Sequence, residues 1–248
     1  MDKIKVFFEQ RTSVRRYERE PIPEVALSTI YTAIRNTPTS YNGQQFSVID
    51  ISSQELKEQL YEIIGQKQVK TCNRFMVFCA DFNKIGMLAE KKGVEMPDFT
   101  HTVDGVFVGV IDATLAMSSA YTAAGACGLG CCCIGYTRTA DPEKMAEILS
   151  LPKGVFVVCG LAIGVPREHP DIKPKEPLEV VIHQNKYSTE GMLDNLIDYD
   201  NSVQTYNASR SGTKTDNDWC AHIVDYYKDA MKYNMLDYIK SQGFDVIK

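Results

Sequence analysis

Arg11, Ser13 and Arg15 are spaced i, i+2 and i+4, so in an extended segment all three side chains project to one side. Two guanidiniums and a hydroxyl arranged in this way make an anion clamp. Arginine suits phosphate because its fork donates two parallel hydrogen bonds, a geometry that lysine does not copy. The same residues would also serve as a solvated basic edge paired with Glu18 and Glu20. Lys173 and Lys175 flank Pro174, and the residue before a proline is biased to extended geometry, which favours one side for both lysines. They are a second possible phosphate contact or a charged surface loop. Thr37, Thr39, Ser40, Tyr41, Asn42 and Gln44 crowd neutral hydrogen-bonding groups around one aromatic ring, as a loop holding a polar aromatic ring system would. Gly128, Gly130 and Gly135 bracket CCCI, where bare backbone N–H groups could approach a flat ligand.

Other chemistries lack their residues. No G-x-G-x-x-G follows a strand and no G-x-S-x-G occurs, which disfavours a Rossmann nucleotide site and a nucleophile elbow. His101, His169, His183 and His222 have no metal-like or triad-like spacing. Eight cysteines invite a metal or thiol-redox reading, but Cys131, Cys132 and Cys133 are consecutive and suit no tetrahedral site; free buried thiols are expected, and no metal. A net charge of −5 argues against nucleic-acid and anionic-membrane partners.

These residues need a scaffold to position them, and 248 residues with 44% hydrophobic content can bury a core. MDKIKVFFEQR lacks the apolar stretch of a secretion signal, so a cytoplasmic protein is expected. Asp112 to Arg138 encloses no charge, yet Gly, Ser, Thr and Cys crowd it, and a core helix followed by a Gly-rich turn is expected rather than a membrane span.

Apolar spacing predicts helices over 4–10, 24–35 and 104–125, with Ser52 and Glu55 forming a capping box for one reaching Ile64. Asp141 and Pro142 open another. FSVIDI (46–51), FMVFCA (75–80) and VFVVCGLAIG (155–164) read as strands, and EVVIH (179–183) as a fourth. Helices dominate from Gly191, with a polar, mobile-looking loop over 206–218 before a final helix carrying Trp219, Ile223 and Tyr226. The sum is an α+β fold, one sheet covered by helices, in a single domain spanning 1–248.

Six segments in order, RTSVRRYEREPIP, TPTSYN, IIGQKQV with FMVFCADFNK, GLGCCCIGYTR, LAIGVPREHPDIKPKEPLEVVIH and DNDW, resemble the nitroreductase superfamily, and within it the oxygen-insensitive NADPH nitroreductases and flavin reductases of the P type. The resemblance implies a central, mainly antiparallel sheet flanked by helices and an interlocked homodimer with FMN at the interface. It implies that Arg11, Ser13 and Arg15 with Lys173 and Lys175 hold the FMN phosphate and ribityl chain. Thr39, Ser40 and Tyr41 would line the flavin, with Gln66 and Gln68 at its ring edge and the backbone of Ile134 and Gly135 near its reactive nitrogen. The implied activity is ping-pong transfer of two electrons from NADPH or NADH to nitroaromatics, quinones or flavins, the cofactor carrying the chemistry without a catalytic side chain. Alternatives are a flavin-binding protein without turnover, and a flavin or quinone reductase with incidental nitro reduction. Arg210 and Lys214 are candidates for the nicotinamide nucleotide. Two departures stand out: Tyr136 replaces a second glycine after Gly135, and Thr215 an expected arginine.

Overall fold

The structure, a computed structural model, describes residues 2–246. In chain order the elements are α1 (Asp2–Glu9), α2 (Glu24–Arg35), β1 (Phe46–Ile51), α3 (Gln54–Ile64), α4 (Lys67–Thr71), β2 (Arg74–Asp81), α5 (Asn83–Lys92), α6 (Val103–Ala126), β3 (Gly130–Ile134), α7 (Tyr136–Thr139), α8 (Pro142–Ile148), β4 (Val155–Gly164), α9 (Leu178–Val181), α10 (Met192–Ser209), α11 (Trp219–Ala230) and α12 (Met235–Ser241). The chain divides into two compact units, a smaller one of Met1–Thr12 with His169–Lys232 and a larger one of Ser13–Glu168 with Tyr233–Lys248.

The larger unit holds an antiparallel sheet in the order β1-β2-β4-β3. Successive strand side chains point to opposite faces, and β2 is apolar on both. Met76, Phe78 and Ala80 enter one core with α2 and α6, while Phe75, Val77 and Cys79 enter the other with α3 and α4. Burial on two faces explains why FMVFCA reads as a continuous apolar run. In β4, Phe78 faces Cys159 and Cys79 faces Val157, which leaves Val158 over. This bulge reverses the alternation, so Phe156 and Val158 share a face with Leu161 and Ile163.

α6 lies against the sheet on Val108, Ala113, Ala116, Ala120 and Ala124. Small residues let it come close: a Cβ on Gly109 would sit 2.8 Å from the Ala80 Cβ and 3.0 Å from the Phe82 ring. Gly109→Val should therefore cost about 1–3 kcal/mol by overpacking, read as a lowered urea midpoint. The helix is long and apolar enough to cross a membrane by length and composition, but this face belongs to the core. Its other side exposes Val103, Phe107, Ile111 and Leu115 at four-residue spacing.

Three sequence expectations are corrected. The cap of α3 is Ser53, whose side chain accepts from Leu56 N at 3.3 Å, not Ser52. EVVIH is no strand: residues 178–181 form α9 behind Pro177, and the fourth strand is GCCCI, β3. A further helix, α12, follows Trp219–Ala230 and sends Tyr238 into the core of the larger unit, where Phe244 meets Phe82 and Phe156 edge-on at 5.7 and 4.8 Å.

In the smaller unit α10 continues to Ser209, shortening the expected loop. The loop that remains is tethered, since Gln204 Nε2 donates to Asp216 O at 3.1 Å and Asn207 Nδ2 to Asn217 O at 2.8 Å. Tyr199 and Trp219 meet edge-on at 5.3 Å.

Candidate functional site

Ser13 and Arg15 lie on an extended segment laid along the sheet of the larger unit. Val14 N donates to Cys131 O at 3.0 Å, Glu18 N donates to Val165 O at 2.8 Å, and Tyr17 bridges to Pro166. The Val14 side chain is buried, and a Cβ on Gly130 would stand 2.7 Å from it; glycine is needed there for the approach. With Val14 turned inward, alternation turns Ser13 and Arg15 outward, and Arg15 Nη1 donates to Ser13 O at 3.2 Å. The carboxylate on this segment is Glu168 rather than Glu18 or Glu20. It accepts from Arg15 N at 2.7 Å and Arg16 N at 3.1 Å, and its other oxygen lies 3.6 Å from Arg16 Nε. Arg16 thus takes the ion pair, and Arg15 projects its guanidinium to the exposed side.

Gln66 and Gln68 stand at the head of α4. Gln68, buried, donates from Nε2 to Gln66 Oε1 at 2.7 Å and lies 3.9 Å from Cys132 Sγ. β3 thus lies beside this pair, and two and three residues beyond Cys132 come buried Ile134 and exposed Gly135. Gly135 has φ −69° and ψ −32°, a backbone any residue adopts, and a Cβ there would meet nothing within 4 Å. Neither strain nor packing demands a glycine; what the missing side chain provides is open space beside the strand end. Tyr136, in place of a second glycine, packs edge-on against Tyr233 with ring centroids 6.2 Å apart.

Thr39, Ser40 and Tyr41 occupy a loop fixed from both ends by one carboxylate. Asp112 of α6, 0% exposed, accepts from Ser40 N at 3.0 Å and Gln45 N at 3.1 Å. Thr39 Oγ1 accepts from Gln44 N at 3.2 Å. Tyr41, Asn42 and Gln44 all have left-handed φ, 58°, 54° and 53°, a conformation costing roughly 1–2 kcal/mol per non-glycine residue. The loop holds this strain while presenting Tyr41 at 81% exposure. Among the described residues no hydrogen bond joins it to Ser13, Arg15, Gln66 or Gln68. Asp112, silent in the sequence, is the residue that builds it.

The remaining candidates belong to the smaller unit. Burial, and then the neighbouring charge of Arg11, pull the Lys175 pKa below its ordinary value, so two cations are crowded where an anion would relieve them. Lys173, Lys175 and Arg210 line a cavity of about 380 Å³ together with Thr215, Trp219 and His222; Lys214 is not among its lining residues. Trp219 and His222 were not read as site residues from the sequence, because only the fold brings them to the cavity of Lys175.

None of the eight cysteines forms a disulfide. Burial pushes Cys72, Cys79 and Cys159 up to about 12 and raises Cys131 further, so these are neutral thiols at neutral pH rather than nucleophiles.

The comparisons agree with this architecture. The Nitroreductase family model matches residues 8–165 and the Nitroreductase family, C-terminal domain model residues 173–246; the chain belongs to the nitroreductase family. It is 34% identical to a Bacillus subtilis FMN reductase [NAD(P)H], with 95% of each chain covered. It is 32% identical to the oxygen-insensitive NADPH nitroreductase of Salmonella typhimurium, with 94% of each covered. The solved structure of the hypothetical oxidoreductase YcnD from Bacillus subtilis superposes with a TM-score of 0.94 at 32% identity, over the whole of both chains.

Proposed function

We propose that this chain is an FMN-dependent NAD(P)H oxidoreductase that passes two electrons by a ping-pong mechanism to nitroaromatics, quinones or flavins. The reading is carried by the open space at Gly135, at the end of the strand whose Cys132 lies beside Gln68, in a chain of this family.

The residues present fit FMN. Its ring needs a cradle free of side chains and its phosphate needs cations; in the larger unit Gly135 leaves the first and Arg15 offers a cation, and within the smaller unit Arg11 and Lys175 crowd where an anion would relieve them. Bound FMN would supply two-electron transfer from a reduced nicotinamide to an acceptor. Arg11, Ser13 and Arg15 with Lys173 and Lys175 hold the phosphate and ribityl chain, charge-assisted donors fixing it where neutral ones would not. Gln66 and Gln68 take the polar ring edge, and Thr39, Ser40 and Tyr41 line the ring. Backbone N–H at Ile134–Gly135 meets negative charge as it develops. One face stays open for donor and acceptor by turns. Arg210 takes the donor's phosphate, and with Thr215 in place of an arginine, discrimination for NADPH is smaller by about 1–3 kcal/mol.

The working molecule in this reading is a cytoplasmic homodimer whose whole chain acts as one FMN-binding domain, the Thr39–Tyr41 loop serving the partner's flavin. Its support is the exposed stripe Val103, Phe107, Ile111 and Leu115 on α6, an apolar face that a second copy would cover. Ile111→Glu should shift the protein from dimer to monomer in light scattering and lose FMN with it. The activity is tested by desalting the purified protein after adding FMN and then assaying nitro, quinone and flavin acceptors. One FMN per chain and parallel double-reciprocal lines are expected; a well-folded protein retaining no FMN would sink the reading.

A further inference from the structure

In the larger unit, the segment Arg15–Ile22 and helices α3 and α4 border a cavity of about 930 Å³. Eight cationic side chains line it against one carboxylate, Glu18, in a chain of net charge −5 with 27 lysines and arginines in all. Nearly a third of the molecule's positive charge is gathered around one hollow.

Local pairing accounts for little of it. Arg16 lies 3.6 Å from Glu168, and Arg74 lies 3.3 Å from Asp50, a carboxylate that also accepts from the Tyr31 hydroxyl. Lys57, only 5% exposed, donates from Nζ to Cys72 O at 2.6 Å, a neutral partner that leaves its charge unbalanced. Lys70 Nζ sits 3.5 Å over the Tyr61 ring, and Arg15 is bonded to a backbone carbonyl. Arg19, Lys67 and Arg167 have no ion pair among the described residues. Clustered like charges with low-dielectric walls focus the field and recruit a counter-ion of matching valence. Ordinary small-molecule sites measure roughly 300–1,000 Å³, so the hollow accommodates a ligand of nucleotide size. Around it Tyr17 is the only aromatic, and it is buried, so recognition rests on charge rather than on stacking a base.

We propose that this cavity binds a diphosphate-bearing ligand at a site separate from the flavin. Of the residues assigned above to FMN only Arg15 lines it; Ser13, Gln66, Gln68, Ile134 and Gly135 do not. Besides Arg15, four arginines and three lysines match a chain of phosphates, whose oxygens accept forked and single donors alike.

The test is calorimetric titration of the FMN-loaded, full-length protein, so that the flavin's own phosphate site is filled, with inorganic pyrophosphate in one arm and ADP in another. One site per chain is expected. Raising ionic strength from about 0.01 to about 0.1 M, which shortens the screening length from about 30 to about 10 Å, should weaken binding at least tenfold. Arg19→Glu and Arg167→Glu, two exposed positions on different segments, should each weaken it to a similar degree while FMN content, flavin spectrum and oxidoreductase rate stay unchanged. Binding of pyrophosphate alone assigns the site to an inorganic anion, and binding of ADP tenfold tighter assigns it to a nucleotide; both support the proposal. Absence of binding in both arms, or binding that neither charge reversal alters, overturns it. FMN content measured on the same sample keeps the two readings apart: loss of flavin speaks against the oxidoreductase alone, and the charge reversals are then read on the flavin-free protein.

Discussion

Gly135→Val is expected to leave stability within about 0.5 kcal/mol of the parent, as for a surface substitution, and to weaken FMN binding at least 100-fold, about 2.7 kcal/mol. The two halves of this result have separate causes. The Gly135 backbone is already right-handed, and no atom stands within 4 Å of where a Cβ would go, so the fold tolerates a side chain there; restricting the unfolded chain even favours it slightly. The flavin does not tolerate it, because the added methyls fill the space in which we place the ring. Urea denaturation of the flavin-free protein measures the first half and fluorescence titration with FMN the second. A Gly135→Val protein that binds FMN as tightly as the parent would remove the cradle from the account.

Asp112→Ala should act through the fold, destabilising by about 3 kcal/mol or more. Asp112 is fully buried and accepts from the backbone N–H of Ser40 and of Gln45. Removing it strands two donors, each costing roughly 1–3 kcal/mol when its partner is lost. It also frees Tyr41, Asn42 and Gln44 to leave the left-handed region, so the loop loses the shape that presents Tyr41. Asp112→Asn keeps one carbonyl acceptor and should lose about half as much. Urea midpoints of the three proteins give the order, and equal midpoints would show that the loop is held by something else.

How far the sequence discloses this molecule depends on the range of the interactions. α2 was legible to the residue, because Pro23 and an apolar stripe define it locally, and so was the start of α8, whose Asp141 cap accepts from Lys144 N at 3.1 Å. β1 and β4 stood out as β-branched runs of the right length. β3 did not, since only Ile134 among Gly, three Cys and Ile carries a strong strand preference, and the segment becomes a strand by pairing with β4, Cys131 to Ile163 and Cys133 to Leu161. EVVIH failed in the opposite sense: its composition suits a strand, but among the described residues it pairs with none, and the chain behind Pro177 turns into α9.

The candidate site divides along the same line. Ser13, Arg15, Gln66 and Gln68 were singled out from residue type and family resemblance, although Glu168 holds the backbone of Arg15 from 153 residues away and Cys132 lies beside Gln68 from 64 residues away. Asp112 was invisible because its partners lie 72 and 67 residues away; in the sequence it marks only the start of a charge-free stretch. The basic cavity was hidden for a similar reason, its cations coming from segments around residues 15–19, 57–74 and 167, which only the fold brings together.

The central claim, that this chain binds FMN and turns it over with a nicotinamide donor, is tested most directly by the visible spectrum of the FMN-loaded protein under anaerobic conditions, before and after adding NADPH and, in a second cuvette, NADH. The account predicts a flavin spectrum bleached by both donors, with NADPH favoured only modestly because Thr215 stands where the family resemblance leads one to expect an arginine. A bound flavin that neither donor bleaches would contradict the enzyme and leave a flavin-binding protein without turnover.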